Sequence, residues 1–406
     1  MIQASSGAGL SLQRLQRLRE GMLRYVERGE VAGVAMLVSR HDQVWSDSLG
    51  WQDRERAVPM RTDSIFRIAS MTKPVTAVAA MLLVEEGRLA LDEPLDDWLP
   101  ELAQRRVLRR IDGPLEDTEP ARRSLTLRDL LTFRMGFGTL LGSTEGYPIQ
   151  QAIDTLRIWG RKPRPPHLPD EWLRRLGTLP LMYQPGERWL YHTGADVAGV
   201  LIARASGQPF EVFLRERIFD PLDMADTGFQ VPADKLARLT SCYDASALAG
   251  SIRLFDDARD SQWSQPAAFP SGGSGLVSTL DDYHAFARMM LNGGRHGDRR
   301  LLARPTVQAM ITDQLTPEQK RLSTGFFPDF WESRGWGFGM AIITRRDGPS
   351  AIPGRFGWDG VYGTSWYSDP TEGLVGILMI QRLGFAPTTT GINADFWTLA
   401  YQAIDN

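Results

Sequence analysis

Ser70 and Lys73 stand three positions apart in the segment "FRIASMTKPVTAVAAMLLVEEGRL", residues 66 to 89. A serine hydroxyl is a weak nucleophile until a base takes its proton, and a lysine amine is such a base only when neutral. A spacing of three puts both side chains on one face of a helix. Pro74 fixes where that helix begins, because proline is tolerated only in a first turn, whose backbone N–H groups have no intrahelical partner. The helix therefore starts at about Ser70 or Met71, and its positive end favours an alkoxide or oxyanion nearby. The apolar run "VTAVAAMLLV" (75–84) predicts desolvation of the Lys73 amine and a lowered pKa. Lysine is scarce, only Lys73, Lys162, Lys235 and Lys320 among 46 basic residues. A position kept as lysine amid so much arginine suits a role that requires deprotonation, which arginine cannot perform. The competing reading is an ordinary polar cap followed by a tolerated proline.

The elements that must position this pair are legible from periodicity. "VAGVAMLVSRHDQVWSDSLG" (31–50) alternates around a polar break and reads as a β-hairpin. A second strand-rich region comprises "GWGFGMAIIT" (335–344), "RFGWDG" (355–360), "GTSWYSDP" (363–370) and "LVGILMIQR" (374–382). Helical spacing is predicted for Leu10 to Arg28, for the tail 392–404, and for 74–86, 126–134, 149–159, 194–206, 210–218 and 280–292. The proline-rich stretch "GRKPRPPHLPDEW" (160–172) reads as a loop. Strands at both ends with helices between predict an α+β chain: one antiparallel sheet built from N- and C-terminal segments, flanked by helices, with an inserted, mainly helical lobe. The expected division is 1–92 with 276–406 as the α/β sandwich lobe and 93–275 as the helical lobe, the site lying in the cleft between them.

Bulk properties narrow the partners. The chain has 406 residues, 42% hydrophobic and 23% charged, with formal net charge −3. That profile belongs to a folded protein with no nucleic-acid surface. Cys242 is the single cysteine, which excludes an intramolecular disulfide. No signal-like apolar run occurs near the N-terminus and no stretch approaches the roughly 20 apolar residues of a membrane span. A cytoplasmic location without membrane association is the expectation.

The segment "SIFRIASMTKPVTAVAAMLLVEEGRLALDEPLDDWLP" (64–100) resembles the serine β-lactamase and penicillin-recognising superfamily, in its class C-like branch. The resemblance continues through "LTLRDLLTFRMGFG" (125–138), with Phe133, Arg134 and Met135 departing from the family's pattern. It recurs at "QPGERWLYHTGADVAGVLIARASGQPF" (184–210), "IFDPLDMADTGF" (218–229), "GGSGLVSTLDDYHAFARMMLNGG" (272–294) and "FGWDGVYGTSWYSDPTEGLVGILMIQR" (356–382). It implies a β-lactamase/transpeptidase-like fold and a Ser70 nucleophile with Lys73 beside it. The family's Tyr-x-Asn motif falls on Tyr191-His192-Thr193. Tyr191 is then the proton-exchanging tyrosine, its pKa expected to be lowered by Lys73, while Thr193 replaces the asparagine that helps hold a lactam amide. His192, in the variable middle position, is discounted as a base.

The family's Lys-Thr-Gly motif falls on Trp358-Asp359-Gly360, so a neutral indole with an acid beside it replaces the lysine that binds a drug's carboxylate. Trp-x-Gly at this place resembles the family VIII carboxylesterases. The resemblance implies an oxyanion hole from the amides of Ser70 and Val361, and Gly360 is expected to keep the acyl group's approach open. The implied activity is hydrolysis of short-chain carboxylic esters, a small-molecule reaction needing no metal or cofactor; which of Lys73 and Tyr191 is the base stays open. A β-lactamase or D-amino-acid peptidase is the alternative within the family, and an acyltransferase would use the same acyl-enzyme. A Ser-His-Asp esterase is disfavoured because no Gly-x-Ser-x-Gly elbow occurs. A zinc hydrolase is disfavoured because none of the five histidines lies in a His-Glu-x-x-His arrangement. Pocket shape is expected to depend on the loops 137–150, 160–172, 243–270 and 321–335.

Overall fold

A computed structural model describes residues 9–141, 146–245, 252–383 and 391–405. Parts of two pocket loops singled out above, 142–145 and 246–251, lie outside the described residues.

The sheet is assembled from both ends of the chain. Its strands are β1 (Gly33–Arg40), β2 (Gln43–Asp53), β3 (Val58–Pro59), β4 (Arg334–Trp336), β5 (Ala341–Ile343), β6 (Phe356–Asp359), β7 (Ser365–Asp369) and β8 (Leu374–Met379). They run in the order β4-β5-β6-β7-β8-β1-β2-β3, with every neighbouring pair antiparallel. Register joins the two ends directly, Leu37 facing Ile377 and Val38 facing Gly376.

Five helices matter for the site: α1 (Leu12–Glu27), α2 (Thr72–Glu85), α3 (Thr193–Ser206), α4 (Leu280–Leu291) and α5 (Ile392–Gln402). Alternation along β1 shows how they cover the sheet. Val34, Met36 and Val38 pack under the terminal helices with Leu15, Leu18 and Phe396. Ala35 and Leu37 face the other way, into the core shared with Phe286 and Met290 of α4. Both faces are thus covered, which explains why all eight β1 residues are buried. Helix α2 has no polar face because it is packed all round; every residue from Thr72 to Leu83 is buried.

Three expectations need adjustment. The stretch 335–344 is not one strand but two, β4 and β5, turned between them at Gly337–Met340. Gly339 sits there at φ 75°, and a Cβ on it would lie 2.8 Å from the Lys73 carbonyl oxygen, so the turn is pressed onto the first turn of α2. The loop 160–172 already contains the start of a helix, Pro169–Gly177, opened by a proline at its first position. The region 93–275 also carries short strands, Arg106–Leu108 with Thr118–Pro120 and Cys242–Asp244 with Arg253–Asp256. Among the described residues no helix is long and apolar enough to cross a membrane.

Arg67, three residues before Ser70, anchors the approach to α2. Its fully buried guanidinium donates to Asp256, to Ser261 Oγ at 2.9 Å and to the Thr240 carbonyl at 2.6 Å. Removing one partner of such a pair strands the other charge in the core. Asp256→Ala is therefore expected to cost about 3–5 kcal/mol in chemical denaturation. A loss below about 1 kcal/mol would show that this ion pair does not hold the segment.

Candidate active site

Ser70 sits on a strained turn. Ala69 has φ 44°, in the left-handed region that a β-carbon disfavours. The 3-10 turn Ala69–Met71 follows and runs straight into α2. The turn is held from outside, because the Tyr283 hydroxyl donates to the Met71 carbonyl at 2.8 Å and the Ile68 amide donates to Leu276 O at 3.1 Å.

Ser70 is 7% exposed and Lys73 1% exposed, so the amine is cut off from solvent while the hydroxyl still reaches the cleft. Lys73 Nζ lies 2.9 Å from Ser70 Oγ, 2.7 Å from the Gly273 carbonyl oxygen and 3.1 Å from His192 Nδ1. Burial drives the Lys73 pKa down to about 7, with Asp196 acting in the opposite direction. The desolvation read from the apolar run after Lys73 is therefore present.

Tyr191 follows a different logic from the one expected. Lys73 Nζ sits over the face of its ring, 4.4 Å from the centroid, rather than beside its oxygen. Burial pushes the phenol's pKa up, with Ser70 and Trp358 only partly opposing it. The expected lowering by Lys73 is thus reversed: an amine that sheds its own charge in a dry site cannot stabilise a phenolate. Tyr191 is a protonated hydroxyl that lines the same cavity as Ser70, and it accepts from Trp358 Nε1 at 2.6 Å. An aromatic shell excludes water around it, with Phe326 at 4.8 Å, Trp189 at 5.4 Å, Phe133 at 5.7 Å and Trp358 at 5.8 Å between ring centroids. Phe133 is one of the residues at which the chain departs from the family pattern.

The β6 segment brings the remaining residues together. Trp358 and Asp359 point to opposite faces, as successive strand residues must. The indole meets Tyr191, while the Asp359 carboxyl accepts from Tyr367 at 3.2 Å and from Asn393 at 3.4 Å. Burial raises the Asp359 pKa. Gly360 is needed for a reason other than the one expected, because a Cβ there would stand 2.2 Å from Thr364 Oγ1 and 2.5 Å from the Ile68 carbonyl. Absence of a side chain lets the end of β6 close onto the turn that carries Ser70. The backbone amides of Ser70 and Val361 donate to no acceptor among the described residues. Unpaired amides beside a nucleophile are what a developing oxyanion requires.

A cavity of about 280 Å³ opens onto Ser70, lined by Tyr191, Trp358, Gly360 and Val361 and walled by side chains such as Leu141, Ile158, Trp263 and Phe326. Thr193 does not line it; it lines a smaller neighbouring cavity with Phe137 and Ile153.

Three further residues, His192, Asp196 and Gly273, surround the Lys73 amine. His192, discounted above, faces Lys73, and its Nε2 lies 3.1 Å from Asp196 Oδ2. Asp196 also accepts from the Gly273 amide at 2.9 Å and from Ser271 Oγ at 2.6 Å. The His192–Asp196 spacing of four at a helix start was the available signal; Gly273, 200 residues beyond Lys73, had none.

A buried serine–lysine–tyrosine cluster beside an antiparallel sheet, with β6 and the Ser70 turn forming one wall, fits a serine hydrolase of the β-lactamase/transpeptidase-like fold. Residues 18–394 match the Beta-lactamase family model, and the chain belongs to that family. It is 40% identical to Protein Rv1367c of Mycobacterium tuberculosis over 355 residues, covering 86% of this chain and 85% of that protein. It is 32% identical to Esterase EstB of Burkholderia gladioli over 402 residues, covering 93% and 90%. Among solved structures it resembles EstCE1, a hydrolase with promiscuous acyltransferase activity, at TM-score 0.76 and 22% identity, covering 96% of this chain and 98% of the other. The chain is thus a carboxylesterase-like hydrolase within the family.

Proposed function

We propose that this enzyme hydrolyses carboxylic esters of short acyl groups through an acyl-enzyme on Ser70. The observation that carries the reading is the 2.9 Å contact between Ser70 Oγ and a Lys73 amine cut off from solvent. Neutral Lys73 takes the hydroxyl proton as Oγ bonds to the ester carbonyl carbon, and the amides of Ser70 and Val361 receive the oxyanion. The intermediate collapses with cleavage of the carbon–alkoxide bond. Tyr191, held protonated by burial, gives its proton to the departing alkoxide; the proton taken by Lys73 returns to the Tyr191 oxygen through a water in the cleft, because the amine lies over the ring face and not beside that oxygen. Water then attacks the acyl-serine, losing its proton to the same groups, and releases the carboxylic acid and free Ser70. Of the two candidate bases, the opposite pKa shifts of Lys73 and Tyr191 favour the amine.

Esters are favoured over lactams because Trp358 offers no charge for a drug's carboxylate and Thr193 is turned away from the cavity. The cavity of about 280 Å³ holds a short acyl group together with a small alcohol. The test is direct comparison: p-nitrophenyl acetate and butyrate are expected to turn over with higher kcat/KM than nitrocefin. Nitrocefin cleaved far faster than either ester would overturn the assignment.

Trp358 gives a second check. Trp358→Phe keeps an aromatic wall but removes the donor to the Tyr191 oxygen. One lost hydrogen bond of about 1.4 kcal/mol corresponds to a roughly tenfold fall in kcat. An unchanged kcat would show that the indole packs against Tyr191 without tuning it.

A further inference from the structure

His192 and Asp196 are buried, pair with one another and touch the catalytic amine, yet no step above uses them. Their arrangement is specific. His192 stands at φ 87° and ψ −65°, and the Thr193 amide closes back onto the Tyr191 carbonyl at 3.3 Å in a three-residue γ-turn. This strained turn, placed where α3 begins, sends the Tyr191 and His192 side chains to the same amine from different sides. Gly273 completes the fit, because a Cβ there would come within 3.0 Å of both His192 Nε2 and Asp196 Oδ1.

The hydrogen count of the amine gives the arrangement a purpose. A neutral amine has two N–H donors and one lone pair. Three groups surround Lys73 Nζ: Ser70 Oγ, the Gly273 carbonyl and His192 Nδ1. The carbonyl can only accept. If Nδ1 also accepts, both hydrogens are used and the lone pair is left facing the Ser70 hydroxyl. Whether Nδ1 accepts depends on the tautomer, and the tautomer depends on Asp196. An ionised carboxylate 3.1 Å from Nε2 obliges that nitrogen to carry the proton.

We propose that His192, locked by Asp196 in the tautomer protonated at Nε2, is a positioning residue that accepts one hydrogen of the Lys73 amine and so directs its lone pair at Ser70. The proposal rests on the acyl-enzyme reading and deepens it. The surrounding charges agree. Although burial opposes it, contacts to His192, Ser271 and Gly273 hold Asp196 below its ordinary pKa, hence ionised. Burial holds His192 below its own ordinary pKa, hence neutral, against the opposing pull of Asp196. Lys73 faces Ser70 from its own turn, the Tyr191 ring, His192 and the Gly273 carbonyl, with Asp196 behind.

Asp196→Asn separates tautomer control from loop support. The amide oxygen still accepts from Gly273 and Ser271, while the amide nitrogen donates to Nε2 and forces the proton onto Nδ1. Nδ1–H then points at the Lys73 lone pair and competes with Ser70. The readout is the rate of Ser70 phosphonylation by a fluorophosphonate between pH 5 and 9, with peptide mapping of the adduct and the thermal midpoint of each variant. Asp196→Asn is expected to slow labelling about 100-fold or more at pH 8, on the precedent that reversing a histidine tautomer costs up to about 10⁴ in a catalytic triad. His192→Gln supplies an acceptor that needs no tautomer lock, so adding Asp196→Asn to it should change the rate less than about threefold.

Wild-type labelling rates in Asp196→Asn, or the same loss from Asp196→Asn in both backgrounds, would overturn the proposal. Should Asp196→Asn not fold, His192→Leu is expected to label at least about 30-fold more slowly than His192→Gln; equal rates would overturn it equally. No Ser70 adduct in the unaltered protein would overturn the acyl-enzyme reading and this assignment with it.

Discussion

Replacing Ser70 by alanine is expected to reduce ester turnover by about 10⁴- to 10⁶-fold, the range seen when a covalent nucleophile is removed from a serine hydrolase. The residue that remains has no oxygen for the carbonyl carbon, while the Ser70 and Val361 amides, the aromatic shell and the cavity are untouched. Substrate binding should persist, so the loss belongs in kcat with KM changed little. The variant should fold as the parent does, because the hydroxyl makes no hydrogen bond among the described residues beyond its contact with Lys73. Turnover within tenfold of the parent would mean that another group carries the acyl chemistry.

Replacing Lys73 by arginine is expected to be nearly as damaging, about 10³-fold in kcat/KM, within the span of general-base contributions. Arginine keeps length and cationic character but does not give up its proton, so the variant asks whether charge or basicity matters. Lys73→Met, which fills the space without either, should fall equally far. Arginine retaining most of the activity while methionine lost it would identify Lys73 as an electrostatic group rather than a base.

The pH dependence follows from the same amine. The Lys73 pKa is depressed from 10.5 to about 7 in the folded enzyme. The reactive neutral amine is therefore the major form above pH 7 and falls about tenfold per unit below pH 6. The kcat/KM profile of the parent should show an acid limb centred near 7. A limb near 4 to 5 would point to a carboxylate, and one above 9 to an undepressed lysine.

Residues whose roles follow from local spacing were legible before any coordinates. Pro74 located the start of α2, the apolar run after Lys73 foretold its desolvation, alternation around a polar break exposed the first hairpin, and strand-rich composition exposed the C-terminal half of the sheet. What resisted reading depends on backbone strain and on contacts between distant segments. The positive φ of Ala69 and of His192 leaves no mark in composition, since neither residue is glycine. His192 was discounted because its position in a three-residue motif says nothing of where a γ-turn aims its ring. The Tyr191 pKa was expected in the wrong direction because a lysine's charge was assumed present where burial had removed it. Gly360 was expected to keep an approach open, whereas the contacts of Thr364 and Ile68 show a place where β6 closes on the turn that carries Ser70. The short strands in 93–275 escaped notice because two or three residues carry no periodic signal.

The most direct test of the account is the location of the acyl group during turnover. The parent enzyme would be mixed with p-nitrophenyl butyrate, quenched in acid within the first turnovers, digested and mapped by mass spectrometry. The account predicts a burst of p-nitrophenol of about one equivalent per active enzyme where deacylation is the slow step, and a butyryl group on Ser70. A butyryl group on a different residue, or steady ester cleavage in which no acylated peptide forms under any quench, would contradict it.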